Sequence, residues 1–180
     1  MNPDKTITAT RRWLESIVIE FNLCPFAKRE LAKNSIRFAA TSATNEEQLL
    51  QALEEEINHL DSDPSIETSL LIHPQVLQDF DVYNQFLDLA DELLVMLGRD
   101  GVYQIASFHP DYCFAGCDLD DPENFTNRAP YPLLHLLREQ SLERAINSHP
   151  DTAEIPQQNI ALMNRLGITR LRQLFAACQE

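Results

Sequence analysis

The first segment with regular hydrophobic spacing lies close to the start of the chain. Apolar side chains recur there every three or four positions, which predicts an amphipathic helix ending near Asn22: Trp13, Leu14, Ile17, Val18 and Phe21. The Cys24-Pro25 pair follows at once. Proline favours the first position of a helix, so we expect a short helix from Pro25 to about Lys33 with Cys24 as its N-cap residue.

Three short apolar runs alternate with two longer helical patterns in the next part of the chain. The runs predict strands over residues 35–41, 66–72 and 102–108, and the helices between them extend from Thr44 to about Leu60 and from Asp79 to Leu97. This β-α-β-α-β order favours parallel strands joined by right-handed crossovers. We therefore predict one α/β domain over residues 1–180, with a small, mainly parallel three-stranded sheet packed by N-terminal and C-terminal helices.

The remainder of the chain begins with an aperiodic segment, residues 110–130. Loops of this length are uncommon in compact domains and are usually functional when they are ordered. A helix is predicted from Pro132 to about Ile146, and two more helices follow on either side of Gly167, which is expected to interrupt them.

The chain is strongly acidic, and this narrows the choice of partners. Its 180 residues carry a net charge of -14, and residues 44–123 hold nineteen acids against the single cation Arg99. Nucleic acid would be repelled, so we expect none as a partner. No apolar run is long enough to cross a membrane and segment 1–12 is polar, so we expect a cytoplasmic protein. Reducing conditions there disfavour disulfides, so we expect the four cysteines as thiols, metal ligands or catalytic groups.

Candidate catalytic groups follow predicted strands or helix starts. His109 ends the third strand and His73 the second, so parallel strands would place both imidazoles at the ligand-binding edge of the sheet. A thiol at a helix N-terminus near Lys28 and Arg29 would have a lowered pKa, which makes Cys24 a candidate nucleophile. A buried, unreactive cysteine is the equally weighted alternative.

Metal binding is the weaker interpretation of the histidine and cysteine pattern. His109, Cys113 and Cys117 have the spacing H-x3-C-x3-C, with Cys24 or His135 as a fourth candidate ligand. Zinc sites more often use closely spaced cysteine pairs. We therefore predict no metal site, and the sequence specifies no cofactor.

The segment from Asn124 to Arg138 concentrates polar side chains that suit an anion. Arginine offers a rigid fork of donors for carboxylate or phosphate, and a helix after Pro132 would set His135 and Arg138 on one face. We predict an anion site with these ligand-binding residues: Tyr112, Asn127, Arg128, Tyr131 and Arg138. The alternative is that Arg128 and Arg138 pair with the loop acids Asp118, Asp120, Asp121 and Glu123.

Three motifs resemble a known family. The stretches NLCPFA, FHPDYCFAG and TNRAPYPLLHLLRE, in this order, are similar to the bacterial family called domain of unknown function 1415. The matching positions are Cys24, Pro25, His109, Pro110, Tyr112, Asn127, Arg128, Pro130, Tyr131, His135 and Arg138, whereas Cys113 and Cys117 lie outside the pattern. The resemblance implies a cytoplasmic bacterial protein and no particular reaction.

These observations lead to one preferred function and two alternatives. We expect a crevice that binds a small anionic molecule, with Cys24, His109 and His135 as candidate catalytic residues for nucleophilic or acid–base chemistry. The alternatives are a non-catalytic binder that responds to metal or haem, and an acidic module that recognises a basic protein. The sequence leaves open whether the protein is an enzyme, and it does not determine the oligomeric state.

Overall fold

A computed structural model describes residues 3–148 and 152–180, and its centre is a four-stranded sheet. In spatial order the strands are β1 (Ile36–Ala40), β2 (Thr68–Ile72), β4 (Leu133–Arg138) and β3 (Tyr103–Phe108). β1 and β2 are parallel, while β4 runs antiparallel to both of its neighbours. The fold is therefore mixed α/β, as predicted, but the prediction of a three-stranded and mainly parallel sheet is wrong.

The error lies in β4, which the sequence had suggested was the start of a helix. Its residues LLHLLR are apolar on both sides because β4 is an inner strand with both faces covered. Such a short run cannot be distinguished from a buried helix by periodicity, and Pro132 strengthened the helix prediction. The chain becomes helical only at Glu139.

Six helices flank the sheet in the described residues. The first, α1 (Pro3–Trp13), continues into the π-helical turn Leu14–Ile19, and a non-helical residue, Gly167, divides the last at the predicted position. None of these helices is long and apolar enough to cross a membrane. Their bounds are α1 Pro3–Trp13, α2 Ala27–Ala32, α3 Glu46–Ser62, α4 Phe80–Met96, α5 Glu139–Ser148 and α6 Ile155–Cys178.

The strand directions still support one prediction about the sheet edge. Since β4 is antiparallel to β2 and to β3, those two strands point the same way. His73 and His109 therefore follow the ends of β2 and β3 at the same end of the sheet, on either side of the start of β4. Their backbone N–H groups donate to the carbonyls of Pro132 and Asn127, 3.0 and 3.2 Å away, on the segment that leads into β4.

The two faces of the sheet carry separate apolar clusters. On the first face, α3 and α4 pack against Leu71, Leu134 and Leu136, and the shared core is almost entirely enclosed. On the second face, α1, α6 and the turns beside them pack against Leu70, Ile72 and Leu133. Strand alternation assigns neighbouring residues to opposite faces, so β4 stabilises both layers.

Candidate functional site

A cavity of about 280 Å³ lies between the second face of the sheet and the helices above it. Its floor is formed by strand residues that include Thr68, Ala106 and His135, and helix residues close its sides. We call it the sheet cavity. Its walls are mostly apolar and are formed by Trp13, Leu14, Val18, Ala27, Ile36, Leu70, Phe108, Leu137, Leu142 and Ala145.

His135 is a polar group in this apolar floor. Its Nε2 lies 2.7 Å from the Thr68 hydroxyl, and that hydroxyl donates its own proton to the carbonyl of Leu136. The imidazole must therefore donate from Nε2, which leaves Nδ1 as a hydrogen-bond acceptor. Burial lowers the pKa of His135 to about 4, so the ring is neutral near pH 7.

Cys24 lies in the wall of the sheet cavity and also lines a second cavity of about 350 Å³. This loop cavity includes Asn127 and the ring of Phe114, and it shares Val18, Cys24 and Phe108 with the sheet cavity. The turn that carries Cys24 is held by Asn159, whose side-chain amide donates to the carbonyl of Leu23 at 2.9 Å. The thiol thus stands where the two cavities meet.

The predicted helix cap at Cys24 is wrong. Helix α2 begins at Ala27 with Phe26 as its capping residue, and the link to Cys24 is a hydrogen bond from the Ala27 N–H to the Cys24 carbonyl at 3.2 Å. The helix is also only six residues long. The argument for a reactive thiolate from a helix dipole therefore loses its structural basis.

A polar depression adjoins the sheet cavity, and we call its cations the rim cations: Arg29, Lys33 and Arg144. Arg29, Glu30, Glu67, Ser141 and Ala145 line both spaces. The rim cations are 57–68% exposed at the side chain, and each forms an ion pair. Arg29 and Lys33 lie 2.6 and 3.5 Å from the Glu30 carboxylate, and Arg144 lies 3.7 Å from that of Glu67. Hydrogen bonds from Ser35 and Arg29 help to hold the pKa of Glu30 below its usual range, although burial opposes this.

Arg138 borders the sheet cavity, but its guanidinium is engaged on the other side of the sheet. It donates to the carbonyls of Ile66 and Leu60 and to the Tyr103 hydroxyl, the first at 3.0 Å and the last at 3.1 Å. In a strand, positions 135 and 138 face opposite ways, so the shared helix face predicted for His135 and Arg138 does not exist. Arg138 ties the end of α3 to the sheet.

His109 is fully buried and both of its ring nitrogens have backbone partners. Nε2 donates to the Leu77 carbonyl at 3.1 Å, and Nδ1 accepts the Asp111 N–H at 3.0 Å. Burial lowers the pKa of His109, which keeps the ring neutral. The imidazole joins the loops that follow β2 and β3, and it lines neither the sheet cavity nor the loop cavity.

Arg128 organises the loop of residues 110–130. Its guanidinium donates to the carbonyls of Tyr112 and Leu119, at 3.1 and 2.7 Å, and stacks 4.6 Å from the centre of the Phe125 ring. The partners of Arg128 in this loop are thus carbonyls and an aromatic ring. They are neither of the two partners predicted from the sequence, an anion or the loop carboxylates.

Other loop side chains also hold local structure. The Asn127 amide donates to the Ser107 carbonyl at 3.2 Å, the Tyr112 ring packs 4.9 Å from that of Phe80, and Tyr131 packs against the second apolar cluster. Asn124, a fully buried residue, was not predicted from the sequence. Its side-chain oxygen accepts a hydrogen bond from the Phe114 N–H, and its side-chain N–H donates to the Asp118 carbonyl.

The loop cysteines have protein partners. The Cys117 thiol donates to Glu123 at 2.8 Å, which raises the pKa of Cys117 to about 11, and the Cys113 thiol donates to the Cys117 carbonyl at 3.4 Å. Across residues 3–148 and 152–180, no three His, Cys, Asp or Glu side chains are placed to hold a metal ion.

The structure therefore brings together only part of the predicted set. Cys24, His135 and Arg138 border the sheet cavity, and Asn127 joins Cys24 in the loop cavity. His109, Tyr112, Arg128 and Tyr131 line neither space. The sequence offered no signal for Lys33 and Arg144 as partners, because they are distant along the chain and α5 was misplaced.

Comparison with known proteins agrees with the motifs. Searches of curated proteins and of solved structures gave no match to the chain. A family model matches residues 5–173, which include every motif position named above and every residue that lines the sheet cavity. The chain therefore belongs to the family described as protein of unknown function DUF1415.

Proposed function

We propose that this protein binds a small amphipathic anion, with the apolar body in the sheet cavity and the carboxylate or phosphate at the rim cations. The observation that carries the proposal is the adjacency of an apolar cavity to three exposed cations, each paired with Glu30 or Glu67, in a chain of net charge -14. Binding pockets typically combine apolar walls with a few polar groups that orient the ligand. His135 and Cys24 supply such groups in the cavity.

The volume of the sheet cavity limits the size of the apolar body. A space of 280 Å³ corresponds to about nine groups the size of a water molecule. Each buried methylene contributes about 0.8 kcal/mol, or about fourfold in affinity. For saturated carboxylates, we expect affinity to rise at this rate up to about nine or ten carbons and then level off.

The rim cations, and not the predicted Arg128 and Arg138, are the groups that we assign to the anion. The guanidinium donors of Arg128 and Arg138 are directed to protein carbonyls and to the Tyr103 hydroxyl. The rim side chains are paired with Glu30 or Glu67 but remain more than half exposed. Exposed ion pairs contribute little to the binding free energy. The rim cations therefore select ligands that carry an anionic group, while burial of the apolar body supplies most of the affinity.

Thermal shift with a series of saturated carboxylates tests this function. Decanoate at 100 times its dissociation constant should stabilise the protein by about 2.7 kcal/mol. The double variant Lys33→Gln/Arg144→Gln should bind decanoate about tenfold more weakly and decanol unchanged. The matched control Arg165→Gln/Arg170→Gln removes two exposed cations of α6 that line none of these spaces, and it should bind both ligands like the wild type.

The possible outcomes separate the two parts of the proposal. Equal weakening of decanoate binding in the rim variant and in the α6 control would remove the rim from the proposal. Absence of stabilisation at every chain length, with decanol as well as with the carboxylates, would overturn ligand binding in the sheet cavity.

Alkylation of Cys24 provides a second and independent measurement. Since this thiol lines the cavity, decanoate should slow its reaction with iodoacetamide, while Cys113, which lines neither cavity, should react at an unchanged rate. Mass spectrometry reports both sites in one sample. Protection of both cysteines alike would indicate general stabilisation and not occupancy of the sheet cavity.

A further inference from the structure

Helix α4 exposes an apolar stripe that is separate from the proposed ligand site. Val82, Leu89 and Met96 are 44, 40 and 82% exposed, and their spacing of seven residues places them along one side of the helix. The adjoining side of the helix, which includes Tyr83, Phe86 and Ala90, is buried in the apolar cluster of the first face. The exposed stripe is about 21 Å long, the span of about four turns of a partner helix.

Exposed apolar side chains are concentrated on this one helix. Seven large hydrophobic residues in the described chain are clearly exposed, and four of them belong to α4: Val82, Leu89, Val95 and Met96. Single exposed hydrophobic residues such as Val95 are ordinary on protein surfaces, but an aligned group such as Val82, Leu89 and Met96 is typical of an interaction surface.

The solvent-exposed surface of α4 beside the stripe carries unpaired negative charge. Asp81, Asp88, Asp91 and Glu92 are all exposed on α4, and none forms an ion pair with a described residue. Helix α4 contains no Lys or Arg. At the start of the stripe, Val82 lines a shallow depression together with Glu46 and Glu47 of α3, which adds two further carboxylates.

We propose that this face of α4 binds a basic amphipathic helix of another protein. An apolar stripe with acidic residues along one side is complementary to a helix with an apolar face and lysine or arginine beside it. A second copy would bring the same carboxylates together and be repelled, and so would an anionic membrane or nucleic acid. The basic helix of this chain, α1, is already packed inward through Thr10 and Trp13, with Arg11 stacked 4.4 Å from the Phe38 ring.

Fluorescence anisotropy with a designed peptide tests the assignment. The probe is a labelled helical peptide of leucine and lysine with all leucines on one face, and a scrambled peptide of the same composition is its control. We expect the amphipathic peptide to bind the full chain at least about tenfold more tightly than the scrambled one, with affinity falling as salt increases.

Matched variants locate the binding surface. Leu89→Gln/Met96→Gln removes apolar area and Asp88→Asn/Glu92→Gln removes charge, and each should weaken binding by about tenfold. Leu119→Gln, at an exposed leucine of the loop, and Glu54→Gln/Glu55→Gln, at two exposed acids of α3, should leave binding unchanged.

Three results would overturn the proposal. One is equal binding of the scrambled peptide, and another is equal weakening by the control variants, which would indicate diffuse attraction to an acidic surface. The third is self-association of the wild type in sedimentation that Leu89→Gln/Met96→Gln abolishes, because the occupant would then be a second copy of the chain.

Discussion

The two faces of the sheet are built from the same strands but packed in different ways. Against the first face, α3 and α4 leave Leu49, Leu53, Tyr83 and Phe86 with at most 1% exposure. Against the second face, the shorter elements α2 and α5 and the end of α1 enclose the 280 Å³ sheet cavity. One face therefore supplies close packing, while the other combines packing with room for a guest molecule.

The largest expected effect comes from removing one aromatic ring on each face. Phe86→Ala on the first face should lower the free energy of unfolding by about 4 kcal/mol, because the surrounding helices cannot collapse into the space. Phe108→Ala on the second face should cost about half as much, because Phe108 is only partly buried and already borders two cavities. Urea unfolding measures both values.

This pair of variants tests the difference between the faces directly. Equal losses would mean that the second face is packed as tightly as the first. Decanoate should stabilise the wild type and Phe86→Ala by the same amount, whereas Phe108→Ala, with a changed cavity wall, should be stabilised by a different amount. An identical ligand response in all three proteins would count against the sheet cavity as the binding site.

Acid titration gives the next largest effect, through one histidine on each face. His73 packs against Tyr83 on the first face, and His135 lies in the sheet cavity on the second. Burial lowers the pKa of both histidines to about 4, below the ordinary value of 6.5. The unfolded chain then takes up protons more readily than the folded chain. Stability is therefore full above pH 6.5 and is lost as the pH falls towards 4, by up to about 3 kcal/mol for each ring.

Substitution of each histidine separately measures how much each one contributes to the loss of stability in acid. His73→Gln and His135→Gln should each reduce the loss of stability between pH 6.5 and 4, measured by urea unfolding across that range. We expect the larger share from His73, whose Nε2 is enclosed without a hydrogen-bond partner in the described chain, whereas the cavity gives His135 room for water. A pH dependence unchanged by either substitution would contradict the buried, neutral state of that ring.

The elements of the first face were the more predictable from sequence. Helices α3 and α4 have clear apolar periodicity and carry capping side chains, Asn45 and Asp79, at their starts. The strands predicted at 66–72 and 102–108 were found at Thr68–Ile72 and Tyr103–Phe108. Local pattern determined these elements because each has one buried and one solvated side, or is bounded by turn residues.

The second face was harder to predict because its structure depends on contacts distant along the chain. Strand β4 lies between β2 and β3, and nothing within LLHLLR specifies that position. The misplaced strand displaced α5, so the meeting of Arg144 with Arg29 and Lys33 could not be anticipated. Cys24 and His135 were identified by residue type, but their shared cavity was not evident from spacing.

The smallest expected effect is also the most direct comparison of the two faces, and it uses one substitution at two alanines. Ala90→Leu on α4 adds three carbons to a fully buried site and should destabilise the protein by about 1–3 kcal/mol through overpacking. Ala106→Leu adds the same carbons to the floor of the sheet cavity, where space exists, and should change stability by less than about 0.5 kcal/mol. The same Ala106→Leu protein should lose decanoate binding, because the new side chain occupies the space for the ligand. Urea unfolding and thermal shift measure the two responses, and a strongly destabilised Ala106→Leu protein would show that the cavity does not accept added carbon.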